Sequence, residues 1–264
     1  MIIICRILYG FLFFIFNLNF NLYFALQNPL YSSNSRQLIR KSNTACNLLP
    51  LHGLDLGITT LSTGLIMDNT ISNNSLVDLK NKNVTLYNQG LIKSSRNLLF
   101  LGPFYYYIVE NLLITDKSTT PNLLHTFSIV FIHSIGYYFA HKAMHRNDFF
   151  KKYHYFHHQF NETLIPTIAN SVSETEFTMA YMLPFVVGSL LISPNIESFN
   201  LGIMIVSIMN LVIHCQELQY TEWNKFFVSP KTHLYHHQAK NNISTYSAPT
   251  FNLENIFSNS KEEI

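Results

Sequence analysis

Eight of the twelve histidines fall into three short groups. The first, His141-Lys-Ala-Met-His145, has i, i+4 spacing, which places both imidazoles on one helical face and lets them share one ion. The second, His154-Tyr-Phe-His157-His158, follows after eight intervening residues, and the third, His233-Leu-Tyr-His236-His237, repeats its spacing. Positions i, i+3 and i+4 lie within one arc of a helix, so each triplet predicts three nitrogens turned towards a common cavity. A lone histidine on an apolar helix is usually a hydrogen-bonded packing residue. Eight together are different: burying neutral donors and acceptors without partners costs free energy at each site, and a metal ion supplies the missing partner. A structural zinc takes four ligands and would leave half of these imidazoles idle. No thiolate group offers an iron–sulfur or copper(I) site, so the donor count predicts two metals. Imidazole suits iron, zinc and copper alike, and spacing does not choose among them.

The elements that must position these groups are apolar. Residues 2–26 carry a single charge, long enough to span a bilayer or act as a signal sequence. Residues 31–47 are hydroxylated, basic and free of acids, so the leader, residues 1–54, reads either as a signal anchor or as a two-part plastid-targeting sequence. Residues 67–90 are polar and Asn-rich without apolar periodicity, which predicts a loop within a polar linker at 55–95. Four apolar segments follow, at about 97–114, 121–140, 178–193 and 198–215, none with an internal Lys or Arg. Helix-breaking chemistry joins them in pairs, through Pro121 and through Ser193-Pro194-Asn195. The expected fold is all-α and integral to a membrane: two transmembrane helical hairpins carry a cytosolic-side, histidine-rich metal-binding cap, all within residues 96–264. The cytosolic side follows from Lys142, Arg146, Lys151, Lys152, Lys225, Lys231 and Lys240 in the flanks of the second hairpin.

Composition agrees: 48% of residues are hydrophobic and 14% aromatic, while 12% are charged, about half the usual share. A net charge of +2 with scattered basic residues excludes a nucleic-acid footprint. Cys5, Cys46 and Cys215 share no short spacing and predict neither a disulfide framework nor a zinc knuckle.

An all-imidazole two-metal centre at a membrane face suits oxygen activation against a dissolved hydrocarbon, which favours iron. Here the chain resembles the fatty acid hydroxylase and sterol desaturase superfamily of integral-membrane non-haem di-iron oxidases. The likeness runs from about 131 to 257, with HxxxH, eight residues, HxxHH, an apolar hairpin and a last HxxHH in the family's order. Tyr137-Tyr138-Phe139, Lys152-Tyr153, Pro166, Ala169, Glu174 and Ile213-His214 also look like family features. The resemblance implies a ninth ligand, His214, beside His141, His145, His154, His157, His158, His233, His236 and His237. It implies two iron ions that activate O2 to convert a lipid C–H bond to an alcohol or alkene. An external carrier, cytochrome b5 with its reductase or ferredoxin, would bring the electrons, since no flavin, haem or dinucleotide motif is present.

The endoplasmic reticulum membrane is the expected location, a plastid membrane the alternative. Glu174 and Glu176 read either as acids orienting ligand imidazoles or as surface-loop residues. His125 and His133 match no box and read as structural or outer-sphere residues; His52 reads as incidental. The sequence departs from the family pattern where Lys142 stands for Arg and where Ser244-Thr245-Tyr246 and Leu253-Glu254 replace the usual tail, putting tail contacts in doubt. Two rival readings stay open. A zinc-dependent membrane hydrolase would need a nearby carboxylate base, and no His-Glu-x-x-His pair appears. A metal transporter would place its site near the membrane midplane rather than at helix ends.

Overall fold

The computed structural model describes residues 51–239 and 245–257; the leader expected over 1–54 lies outside the described residues up to residue 50. Those described form helices joined by turns and loops, with one isolated antiparallel bridge between Phe227 and Phe251. Helix α1 spans Leu51–Thr70, and α2, Asn73–Arg96, runs through a π turn at Asn97–Leu101 into α3, Gly102–Leu112. Then come α4, Leu123–Arg146, and α5, Asp148–His154, followed by 3-10 turns at His157–Phe160 and Pro166–Asn170. Helix α6, Glu174–Ile192, contains a second π segment, and α7 spans Ile196–Ile213. A 3-10 turn at Gln216–Tyr220, α8 at Pro230–Gln238 and α9 at Leu253–Phe257 complete the order.

Helices α4, α6 and α7, of 24, 19 and 18 residues, are long and apolar enough to cross a membrane. Their ends are set by local chemistry. The Asn122 side chain accepts from the backbone of Leu124 and His125 to start α4. Ser193 takes a left-handed φ of 48° to end α6, and Asn195 Oδ1 accepts from Ser198 N at 2.8 Å to start α7. In lipid no hydrophobic transfer drives helices together, so close contact must do it. Gly136 of α4 supplies that contact, because a Cβ there would come within 2.8 Å of the Pro184 ring in α6. Outward, Phe104, Leu112, Phe127, Phe139, Leu190 and Leu191 are exposed, as side chains that face lipid would be.

The loop predicted at 67–90 is instead largely helix α2. Its apolar residues do have helical spacing, but a break hides it: Asn83, with φ −157° and ψ 79°, resets the helix between Leu76-Leu79 and Leu86-Tyr87. Together these four pack on Phe160, Leu164, Ile165 and Ile168. Gly90 lets the Phe160 ring lie against the backbone, where a Cβ would meet it at 2.8 Å. Asp68 of α1 ties the same layer by accepting from Thr167 N at 3.1 Å. The polar segment before the apolar core is thus a brace beneath the second histidine group.

Candidate metal centre

Helices α4 and α7 end, and α6 begins, at one level, where α5 and α8 bring in the remaining histidines. The structure gathers all nine predicted imidazoles into two clusters: His141, His145, His154, His158 and His236 form one, and His157, His214, His233 and His237 the other. His145 and His158 are half-buried; the other seven are buried.

Each triplet is divided between clusters, against the prediction of one cavity per triplet. Adjacent helical positions differ by about 100°, so His236 and His237 of α8 point to either side of His233, and His236 joins the five-imidazole cluster. In the second group α5 ends at His154 and a 3-10 turn begins at His157, which turns His157 away from its neighbours.

The ring contacts are all through Nε2. In the larger cluster His141 lies 3.0 Å from His154 and 3.2 Å from His145, while His236 lies 3.1 Å from His145 and 3.2 Å from His158. In the smaller, His214 lies 3.3 Å from His157 and 3.0 Å from His233, and His233 lies 3.2 Å from His237. Metal–nitrogen bonds of about 2.0–2.1 Å at angles of about 90–109° would place neighbouring donors about 2.9–3.4 Å apart. The observed spacings match an ion's coordination sphere.

Proton positions sharpen this fit. His141 Nδ1 faces the Tyr246 carbonyl at 2.8 Å and His214 Nδ1 faces the Asn210 carbonyl at 2.7 Å. A carbonyl only accepts, so Nδ1 carries the proton in both rings and Nε2 presents a bare lone pair to its neighbours. Converging lone pairs call for a cation between them. His154 Nδ1 sits 2.6 Å from Glu176 Oε1, a third contact that turns Nε2 inward.

Burial holds the imidazoles outside the spans in their neutral, ligating form. His154, His157, His233, His236 and His237 are all well below the ordinary histidine range, first through desolvation and then through neighbouring imidazoles; desolvation puts His158 and His214 at about 4. The sign for stability follows. Folded values lie below the unfolded value near 6.5, so the unfolded chain binds more protons in acid. The metal-free protein is expected to lose stability as pH falls through about 6.5 and to go on losing it towards the folded values. Melting curves of chelator-treated protein at pH 8, 6.5 and 5 check this; a flat or rising profile would contradict it.

Other predicted positions separate clearly. His52 is exposed, 3.6 Å from Glu110. His133 is buried in α4 with its ring 4.3 Å from that of Phe185, and belongs to neither cluster; nor does His125 in the first turn of α4. Of the two acids, Glu174 pairs with Arg96 at the surface, whereas Glu176 is fully buried against His154. The sequence reading missed the tail. Glu254 accepts from the backbone of Tyr246 and Ser247, and that segment delivers the Tyr246 carbonyl to His141. Arg146 Nε donates to the Tyr246 hydroxyl at 2.9 Å, so the divergent tail is still tied to the first histidine group.

Membrane-length apolar helices whose ends gather two ion-sized clusters of imidazoles define a class, that of histidine-rich helical membrane proteins suited to holding metal. The family is more specific: the fatty acid hydroxylase model matches residues 126–258, just over half of the chain, and the chain belongs to that family. It is 28% identical over 152 residues to the human fatty acid hydroxylase domain-containing protein 2, covering 58% of this chain and 44% of the relative. The protein of that name from Macaca fascicularis is 28% identical over 106 residues, 40% of this chain and 30% of its own length. The chain therefore spans less than half the length of the curated relatives it matches. No solved structure matches it.

Proposed function

We propose that the protein is an O2-dependent, non-haem di-iron oxidoreductase that hydroxylates or desaturates a membrane lipid. The observation that carries the proposal is the convergence of nine Nε2 atoms into two separate clusters of five and four, each with donor spacing that suits one ion. Two bound irons would supply the redox chemistry that joins O2 reduction to oxidation of an unactivated C–H bond, with electrons from an external carrier such as cytochrome b5 or ferredoxin. The chain's own residues hold the ligands ready: Tyr246, Asn210 and Glu176 fix ring orientation, and burial excludes water. An all-imidazole donor set also suits zinc, so identity of the ion is part of the test.

A largely apolar pocket, partly open to the surface, supports a lipid substrate. Leu56, Tyr106, Phe185, Phe199 and Ile203 line it, and Asn210 marks its polar part. Since the Asn210 carbonyl also holds His214, cavity and smaller cluster share a wall. We place the alkyl or ring body of the lipid there. In this reading α4, α6 and α7 cross the bilayer while α3 packs chiefly on α1, and the Lys- and Arg-rich flanks put the clusters on the cytosolic face, in the endoplasmic reticulum membrane.

The test is anaerobic purification in detergent, elemental analysis, and O2 uptake with a reductant across sterol, acyl, sphingoid and alkylglycerol lipids. Two irons per chain and lipid-dependent O2 uptake are expected. One zinc without iron, or no uptake with any lipid, would refute the oxidase and favour a zinc protein.

A further inference from the structure

Nine imidazoles form two clusters, but among the described residues one acid, Glu176, is hydrogen-bonded to them. We infer that Glu176 makes the clusters unequal: the five-imidazole cluster takes up a divalent ion first, and Glu176 is the positioning residue responsible. The inference rests on the metal reading above, though not on iron or on oxidase activity.

Glu176 is fully buried at the start of α6. Ser173 Oγ accepts its backbone N–H at 3.1 Å, so Ser173-x-x-Glu176 has the sequence of a capping box, in which the glutamate would turn back onto its own helix. Instead the side chain crosses to α5, where Oε1 meets His154 Nδ1 at 2.6 Å and Oε2 has no partner. Arg96 pairs with Glu174, two residues before Glu176 in the chain. A buried carboxylate without a full counter-charge is costly, and removing that cost requires positive charge close by. An ion on His154 Nε2 supplies it through one imidazole ring. The carboxylate in return strengthens His154 as a donor and locks its ring.

The smaller cluster has weaker support. His214 Nδ1 faces a carbonyl, and the Nδ1 atoms of His157 and His237 have no hydrogen-bond partner, which in the larger cluster is true of His236 as well. A dication in the five-imidazole cluster therefore has one more donor and a formal negative charge beside it; one in the four-imidazole cluster has backbone dipoles. Donor number alone would also favour the larger cluster. Glu176→Gln separates the two causes, because glutamine can still accept from Nδ1–H and leaves all five donors in place.

The experiment titrates Co2+ into the full chain in detergent after chelation, following visible absorption, in which four-coordinate tetrahedral cobalt absorbs more strongly than five-coordinate cobalt. In the wild type the first equivalent is expected to give the weak spectrum and the second the intense one. In Glu176→Gln the first step should weaken by about 10–100-fold, so that the intense spectrum grows from the first addition while the affinity of the tetrahedral site stays within about threefold. Melting of the metal-free variant should stay at or above the wild-type temperature, whereas a merely structural role for Glu176 would lower it. Equal, simultaneous filling in the wild type, or an unchanged first step in Glu176→Gln, would overturn the inference. A wild-type chain that takes up no cobalt would overturn the metal reading itself, whereas zinc content without O2 uptake would leave this result standing.

Discussion

Alanine at His157 is expected to abolish turnover on every lipid and to lower bound metal from two ions to about one per chain. His157 is 1% exposed, and its Nε2 lies 3.3 Å from that of His214, in the cluster with four donors. Removing one leaves three. Changes outside the ligand sphere already cost about 10–100-fold in affinity or activity, so loss of a donor should exceed about 100-fold in rate. The matching control is His52→Ala, which alters an exposed imidazole 3.6 Å from Glu110 and should change stability by no more than about 0.5 kcal/mol. Elemental analysis and O2 uptake on both variants decide the matter. Two ions and near-wild-type uptake in His157→Ala would remove this residue from the centre.

Chelation should have the second large effect, this time on stability. The clusters draw histidines from α4, from α5 and the turn after it, from the end of α7 and from α8, so each ion crosslinks three parts of the chain and the two together crosslink four. Without it, His141 and His214 press bare lone pairs against neighbouring rings at 3.0–3.3 Å. An ion present at about 1,000 times its Kd contributes about 4 kcal/mol, and 1 kcal/mol shifts Tm by about 2–4 °C in a chain of this size. A fall of about 10 °C on chelation, reversed by returning divalent metal, is the expected result. A shift under about 2 °C would mean that the clusters close without an ion.

Much of this was legible in residue order. The apolar segments at 121–140, 178–193 and 198–215 correspond to α4, α6 and α7 because long runs without charge admit few alternatives. His214 could be singled out only by resemblance, since one histidine after an apolar helix carries no spacing of its own. Helix α2 was illegible for a different reason. Its buried face is sparse, and Asn83 shifts the register between its halves, so a periodic reading loses phase there. Glu176 was half legible: its sequence reads equally as an acid orienting a ligand imidazole or as a surface-loop residue, and only the approach of α5, which brings His154 Nδ1 to its Oε1, decides for the first. The tail lacked the family's residues, yet Glu254 holds Tyr246 through its backbone, an interaction largely insensitive to side-chain identity at that position.

What the sequence alone determined is the inventory: which imidazoles are available, at what spacing, and on helices apolar enough for a membrane. These are properties of neighbours along the chain, and helical geometry carries them over a turn or two. The tertiary structure decided the partition, placing His154 and His158 with the first histidine group and His157 with His214, and giving one cluster a carboxylate and the other a carbonyl. Such choices depend on where helices end and how they dock. Contacts such as His141 to Tyr246, 105 residues apart, have no signature in local spacing.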